Sequence, residues 1–340
     1  MIKNLNDETY IETQDDVPVI RFKAFENLNW LNCGFSTRLG GVSSGPLESL
    51  NLGFERGDQR ENVVENFKRF AASAGFDVNR ICLPRQWHTN NIRVSSGEAA
   101  LGDISMYKAN LTGKYDETCP SGNTSQTNDH GNDKVSETVF GNGTGISSIS
   151  VKISGMDQFP EEERLKTAID GQITDEPGLV LIAYGADCTP VYLADMKHHA
   201  VGLVHSGWKG TLNSISADAL RLMNERYGTK PEDVIAVIGP SISSDAYEVG
   251  FDVAQLFIRK HQIEVTEDSN IVRLGRRVNE GQKYQLDLWE ANRRNLLDSG
   301  VFPVNIHVSG LCTFKEEELF YSHRRTGNAR GVMAGFMMIR

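Results

Sequence analysis

Three short apolar runs, Leu179 to Tyr184, Val191 to Ala194 and Ala200 to Val204, lie close together in the chain, each bounded by turn residues. Runs this short and this continuously apolar are how strands buried on both faces read. A polar break at Met196 to His199 separates the second run from the third. Cys188 then sits just past the end of the first strand and His205 just past the end of the third. This spacing predicts a thiol and an imidazole at matching edges of one sheet, where side chains stand on a rigid base yet reach a cleft.

The pattern extends in both directions. Residues 1–18 are polar and acidic and read as a short strand or a frayed lead-in, and Val19 to Phe25 reads as a strand. Gln59 to Ala74 has helical periodicity, with Val63, Val64, Phe67, Phe70, Ala71 and Ala74 on one side. Asp58 ahead of it is the expected N-cap and Gly75 the stop. Ile81 to Val94 reads as strand, turn, strand, with His88 in the turn. Thr211 to Tyr227 is an expected helix, with Leu212, Ile215, Ala219, Leu222 and Met223 on one face and Gly228 closing it. A strand at Val234 to Ile238, a helix near Phe251 to Lys260, and a polar, irregular stretch from Ile263 to Val278 follow. A helix at Leu286 to Leu297, a strand at Asn305 to Val308 and a closing strand at Val332 to Ile339 complete the chain. Strands and helices alternate without repeats, which predicts an α/β protein, with mixed α+β sheets and flanking helices, in a single domain over residues 1–340.

One segment breaks the pattern. Asn, Ser, Thr, Gly and Asp dominate residues 119–150, a composition that cannot bury much apolar surface. Residues from about 97 to 171 therefore read as a polar, mobile insertion hung between the His88 turn and the Cys188 strand, with a substrate lid or a partner-binding loop as alternatives. Over all 340 residues the hydrophobic fraction is 39% and the charged fraction 24%, the proportions of a soluble globular protein. No apolar run approaches the roughly 20 residues that span a bilayer, and the first residues show no apolar signal segment. A cytoplasmic protein is expected. The five scattered cysteines fit reduced thiols. A net charge of −10 argues against general nucleic-acid binding. It leaves room for a small anion, because local arginines can reverse the potential inside a cleft.

Cys188 and His205 together admit three explanations. The thiol is an inert core residue beside a histidine that bonds its own turn, or the pair is the nucleophile and base of a metal-free cysteine hydrolase or deamidase, or both are metal ligands. Adding His88 gives two imidazoles and a thiolate, a set typical of catalytic zinc, which keeps its fourth position open. No CxxC or HxxxH spacing offers the fourth ligand of a structural zinc. A Gly- and Ser-rich loop from Cys33 to Pro46 carries Arg38 and can wrap a polar ligand with backbone N–H groups, or is plain surface. Arg324 and Arg325 form a second basic cluster beside His323.

Seven ordered motifs carry a resemblance. They are Phe35-Ser-Thr-Arg-Leu-Gly-Gly, Ser49-Leu-Asn-Leu-Gly, Ala186-Asp-Cys-Thr-Pro, His205-Ser-Gly-Trp-Lys-Gly, Ile238-Gly-Pro, Tyr247-Glu-Val-Gly and Ser309-Gly-Leu-Cys-Thr. Across nearly the whole chain they resemble the polyphenol oxidase (laccase-domain, YfiH-like) family, whose members are regarded as purine nucleoside phosphorylases. The resemblance implies a single-domain α/β fold and a zinc ion held by His88, Cys188 and His205. It implies phosphorolysis of adenosine, inosine, guanosine and S-methyl-5′-thioadenosine to free base and a ribose 1-phosphate, with adenosine deamination as a second activity. The chain departs from the family pattern at Arg85-Gln-Trp-His-Thr (usually Asn-Gln-Val-His-Gly), at Ser241 (usually Cys), at Lys209 (usually Arg) and in the length of its insertion. These departures bear on substrate preference and access; none removes a ligand.

A multicopper oxidase needs on the order of ten histidines, largely in His-x-His pairs. This chain has eight and no His-x-His, so native multicopper chemistry is not expected, although the site can take up copper in vitro. Zinc lowers the pKa of bound water to about 7, the chemistry by which zinc deaminases attack C6 of adenine. Phosphate attacking C1′ of a ribose needs cations and N–H donors. The sequence offers Arg38, Lys209, Arg324 and Arg325 for it, with Arg38 also grouped with Cys188 and Asp187 as catalytic. Asn51 binds ribose hydroxyls or caps its own turn; Asp187 orients a ligand, acts as a base, or caps a strand end. A non-enzymatic interaction protein working through the 97–171 insertion is the remaining alternative. Purine nucleoside and phosphate are the expected partners, with no nucleic acid, no membrane and a monomeric chain.

Overall fold

The computed structural model describes residues 1–96, 168–278 and 281–340. The insertion expected at about 97–171 lies outside the described residues except for its last four. Two large sheets dominate. In spatial order the first holds β1 (Ile2–Asn4), β2 (Thr9–Gln14), β3 (Val17–Phe22), β4 (Leu31–Ser36), β16 (Met333–Ile339), β8 (Val180–Gly185) and β5 (Ile81–Cys82). The second runs β15 (Ile306–Val308), β11 (Val234–Ile238), β9 (Thr189–Asp195), β10 (Val201–Ser206), β7 (Gly171–Thr174) and β6 (Ile92–Val94). A small third sheet joins β12 (Glu248–Val249), β14 (Gly281–Leu286) and β13 (Val272–Val278).

The two large sheets pack face to face, with helices on both outer faces. Alternation along each strand explains why the central runs look uniformly apolar. On β8, Leu181 and Ala183 enter the core between the sheets, while Val180 and Ile182 face helix α1 (Arg60–Ala74). On β9, Tyr192 and Ala194 point between the sheets, while Val191 and Leu193 meet helix α3 (Ile215–Tyr227) and helix α5 (Leu288–Asp298). Both strand faces are dry, so no polar position interrupts the run. Val63, Phe67, Phe70 and Ala71 form the buried stripe of α1. Each buried aromatic there contributes roughly 1.5–3 kcal/mol. Two polar clamps tie sheet to sheet. The Tyr192 hydroxyl donates to the Gly34 carbonyl at 2.9 Å. The Gln172 amide donates to the carbonyls of Cys82 and Ile182 at 3.0 and 2.9 Å. No helix among the described residues is long and apolar enough to cross a membrane.

Several expectations change. The three central runs, expected in one sheet, divide between two: β8 belongs to the first, β9 and β10 to the second. Ile81 to Val94 is not a hairpin, because β5 and β6 likewise lie in different sheets. The alternation of a strand says which faces are buried and nothing about which sheet it joins. The expected helix from Thr211 divides into α2 (Trp208–Leu212) and α3, with Ser214 between them at φ 58°. Asp58 is not the cap of α1; it stands one residue earlier, its carboxylate accepting from the Gln59 N–H and the Asn62 amide. The polar stretch to Val278 contains β13, whose exposed arginines mask its strand pattern. Phe251–His261 is α4.

Gly335 sits on β16 directly under the Tyr192 ring, where an added Cβ would overlap the hydroxyl and lie 3.2 Å from Cζ. Gly335→Ala is expected to cost about 1–3 kcal/mol through overpacking. The cost should shrink in a Tyr192→Phe background, read as a coupling energy in a double-mutant cycle of urea denaturation. Strictly additive costs would show that the two sheets do not meet at this contact.

Candidate metal centre

Two chain segments cross from the first sheet to the second at one point. Residues 83–91 link β5 to β6 and carry His88; residues 186–188 link β8 to β9 and end in Cys188. His205 lies on β10, paired with Pro190 of β9, and so stands within a strand rather than past its end. The ligand atoms of His88, Cys188 and His205 all lie within 4.8 Å of one another. Sγ of Cys188 is 3.7 Å from Nε2 of His88, and the two imidazoles meet edge to face with centroids 4.9 Å apart. Gly207 makes this approach possible: a Cβ there would stand 3.0 Å from both Sγ of Cys188 and Cδ2 of His88.

Asp170 holds the arrangement. It is buried and directly precedes β7. Its carboxylate accepts the backbone N–H groups of Trp87, His88 and Thr89 at 3.2, 3.0 and 2.8 Å, and the Thr89 hydroxyl at 2.7 Å. It also accepts Nδ1–H of His205 at 2.9 Å, which fixes that ring and leaves Nε2 for the cluster. Burial alone would raise the Asp170 carboxyl; the bonds from His205 and Thr89 outweigh it and hold it below the usual range. His88 itself adopts φ 59°, a left-handed conformation uncommon for a side-chain-bearing residue and sustained here by the three N–H bonds around it. Gln86 fastens the same segment to the first sheet, its amide exchanging bonds of 2.9 and 2.6 Å with the Tyr184 backbone.

The cluster favours charge separation even without metal. Burial would raise the Cys188 thiol, but the His205 and His88 imidazoles overcome it and bring the thiol down to about 5. Burial would lower His205, but the Cys188 thiolate and the Asp170 carboxylate raise it to about 10. A thiolate and two imidazoles converging on one point form a donor set suited to zinc. Zn–S and Zn–N bonds of about 2.3 and 2.0 Å put tetrahedral ligands about 3.5 Å apart, and the His88–Cys188 spacing already meets this. Nδ1 of His88 is buried without a partner, so the ring is held by its backbone rather than by a second hydrogen bond. Among the described residues this is the one place where three or more metal-ligating side chains converge.

The triad opens on a cavity of about 160 Å³, lined also by Phe54, Trp87, Tyr184, Arg56 and Arg330. Of the other residues singled out in the sequence, Arg85, Gln86 and Trp87 line it, while Arg38, Lys209, Arg324, Arg325, Asn51, Asp187 and Ser241 do not. Arg38 donates to the carbonyls of Glu48 and Glu317 and lies over the Tyr321 ring. Arg325 donates to the carbonyls of Thr313, Phe314 and Phe320. Arg324 reaches the Glu248 carbonyl and stacks on Tyr247. Lys209 is buried with its ammonium over Trp208. Asn51 is fully buried, bonding Gly53, Asp58 and the Val332 N–H, which fixes its own turn. Asp187, beside Cys188 at φ 90°, accepts Thr313 Oγ1, Ser322 Oγ and the Arg324 N–H, and so ties two loops to the crossover. Ser241 takes the Trp289 indole N–H at 2.6 Å. Asp170, Arg56 and Arg330 are the residues sequence reasoning missed. For Asp170 the one available signal is an acid at the point of return to the core.

Known proteins resemble the chain closely enough to compare. The family model described as "Multi-copper polyphenol oxidoreductase laccase" matches residues 32–118 and 145–340. "Purine nucleoside phosphorylase YlmD" of Bacillus subtilis is 31% identical over 304 residues, 89% of this chain and 87% of that one. The protein of the same name from Geobacillus stearothermophilus is 30% identical over 322 residues, 92% of this chain and 95% of that one. The crystal structure of YlmD from Geobacillus stearothermophilus superposes with a TM-score of 0.69 at 28% identity, covering 97% of this chain and 98% of that one.

In protein stripped of metal, alkylation of Cys188 by iodoacetamide should stay fast down to about pH 5, because the thiolate persists to there. Mass spectrometry of the Cys188 peptide gives the rate. A midpoint near the ordinary thiol value of about 8.5 would sink the ion-pair description.

Proposed function

Because the chain belongs to the family described as multi-copper polyphenol oxidoreductase laccase, and its relatives bear the name purine nucleoside phosphorylase, we propose that it is a zinc-dependent purine nucleoside phosphorylase. The observation that carries this reading is the convergence of His88, Cys188 and His205 on the wall of one cavity, oriented by Asp170. The substrates are adenosine, inosine, guanosine or S-methyl-5′-thioadenosine together with phosphate, and adenosine deamination is a second activity of the same site. Zinc is the preferred ion, since a single His₂Cys set with an open position suits it; multicopper chemistry needs further clusters of histidine, and the chain has eight histidines in all.

Bound at the triad, zinc supplies Lewis-acid polarisation of an oxygen ligand. The chain supplies position and charge. Trp87, Phe54 and Tyr184 offer flat apolar faces for a purine. In phosphorolysis a phosphate oxygen forms a bond to C1′ while the bond from C1′ to the purine nitrogen breaks, its electron pair leaving with the base. The proton of hydrogen phosphate ends on the base, so atoms and charge balance. The reacting ribose carbon gains positive character on the way, which a nearby anion stabilises.

The runner-up, a metal-free cysteine hydrolase, draws on the thiolate–imidazolium pair of Cys188 and His205. The interaction-protein alternative rests on residues outside those described.

Two experiments test these readings. Zinc-loaded protein with adenosine should release adenine and ribose 1-phosphate only when phosphate is present, with some inosine, resolved by chromatography. Absence of base release with phosphate would reject the phosphorylase. Separately, Asp170→Asn should weaken metal retention roughly 10–100-fold, the usual loss when a supporting carboxylate is removed, and His88→Ala should abolish it. Metal content after dialysis against a graded chelator gives the answer; full occupancy in His88→Ala would remove that ligand from the set.

A further inference from the structure

The cavity beside the triad carries three arginines, Arg56, Arg85 and Arg330, against a single carboxylate, Glu55. Glu55 is exposed, and among the described residues it forms no ion pair with Arg56 or Arg330. Arg330 is only 8% exposed, yet its Nε is buried without a hydrogen-bond partner, and its Nη1 reaches no further than the Gly331 carbonyl. Arg56 packs its stem against Gly53 and is half-buried beside it. Burial first, and the neighbouring Arg56 guanidinium second, bring Arg330 down to about 10, with Asp187 and Cys188 opposing. Arg56 too is lowered by burial, with Glu55 opposing.

Two neighbouring guanidinium groups, both desolvated and, among the described residues, neither ion-paired, are costly unless something returns their hydrogen bonds. The contrast with the rest of the chain sharpens this. Arg38 and Arg325 each give three side-chain hydrogen bonds to backbone carbonyls and Arg324 gives one, whereas the buried Nε of Arg330 has no partner among the described residues and its side chain lines the cavity. The forked geometry of guanidinium matches the oxygens of a phosphate, and such charge-assisted pairs are about twice as strong as neutral ones.

We propose that Arg56 and Arg330 form the subsite for inorganic phosphate, holding the dianion in the cavity wall beside the His88–Cys188–His205 cluster. The role of that phosphate as the nucleophile rests on the phosphorylase reading; the anion subsite itself does not. Both arginines approach the cavity from the first-sheet side, Arg56 from the loop ahead of α1 and Arg330 from the segment ahead of β16.

The test is calorimetric titration of orthophosphate into the full-length, zinc-loaded protein, with steady-state kinetics alongside. Arg56→Gln and Arg330→Gln should each weaken phosphate binding by at least about tenfold, the loss expected when one charge-assisted pair is removed. KM for phosphate should rise by the same factor, with KM for the nucleoside and zinc content unchanged. Arg221→Gln, which removes the same charge from the exposed outer side of α3, should change nothing. If burial makes Arg330→Gln unstable, Arg56→Gln and Arg56→Lys, at a half-exposed position, carry the test. Phosphate binding unaltered in the folded Arg56 variants would overturn the assignment. Adenosine monophosphate binding more tightly than orthophosphate, with the same dependence on both arginines, would overturn it in favour of a phosphate-ester site. Arginine-dependent phosphate binding in a protein that turns over no nucleoside would uphold the subsite and reject the phosphorylase.

Discussion

A buried carboxylate is expensive unless donors surround it, and Asp170 is surrounded. Three consecutive N–H groups, a hydroxyl and an imidazole N–H all converge on its two oxygens. The same five bonds that keep the charge in the interior also fix the backbone of one candidate ligand, His88, and the ring of another, His205. Asp170 stands directly ahead of β7, whose parallel pairing with β6 begins at Gly171 opposite Ile92. Asp170 thus enters the core beside the His88 backbone and the His205 ring that it fixes.

The site lies where it does because the sheets are discontinuous in sequence. Residues 83–91 and 186–188 each carry the chain from one sheet to the other, and each delivers a ligand at the crossing. A crossover between packed sheets cannot continue either hydrogen-bond ladder, so its backbone is free to take the left-handed conformations seen at His88 and Asp187. Gly207 then removes the one Cβ that would keep sulfur and imidazole apart.

Much of this was legible in the sequence. Buried strands announced themselves as apolar runs, α1 by its stripe of Val63, Phe67 and Phe70, and the three converging side chains by their residue types, although His205 stands within β10 and not past its end. Sheet membership was not legible, because β8 and β9 have the same alternation whichever sheet they join. The hairpin expected around His88 failed for that reason. Asp170 escaped notice because its distance from His88 along the chain is set by the insertion and forms no local motif. The cations differ in what their donors meet. Arg38, Arg324 and Arg325 stand in recognisable basic or glycine-rich contexts; Arg38 and Arg325 each give three hydrogen bonds to backbone carbonyls and Arg324 gives one. Nothing local marks Arg56 or Arg330.

That difference between satisfied and unsatisfied arginines separates scaffold from site. An arginine whose donors all meet carbonyls gains its stability in the folded chain and has nothing left to offer a ligand. Arg330 does the opposite: it is desolvated, with an orphaned Nε, and with like charge from Arg56 beside it. A free protein is less stable for carrying such a group, by the cost of an unmade bond of about 1–3 kcal/mol. That cost becomes binding energy once an anion arrives, because the donors are already desolvated and oriented. In a chain of net charge −10, a cavity lined by three arginines and one glutamate also reverses the local field. It draws a small anion to the wall where the metal ligands converge.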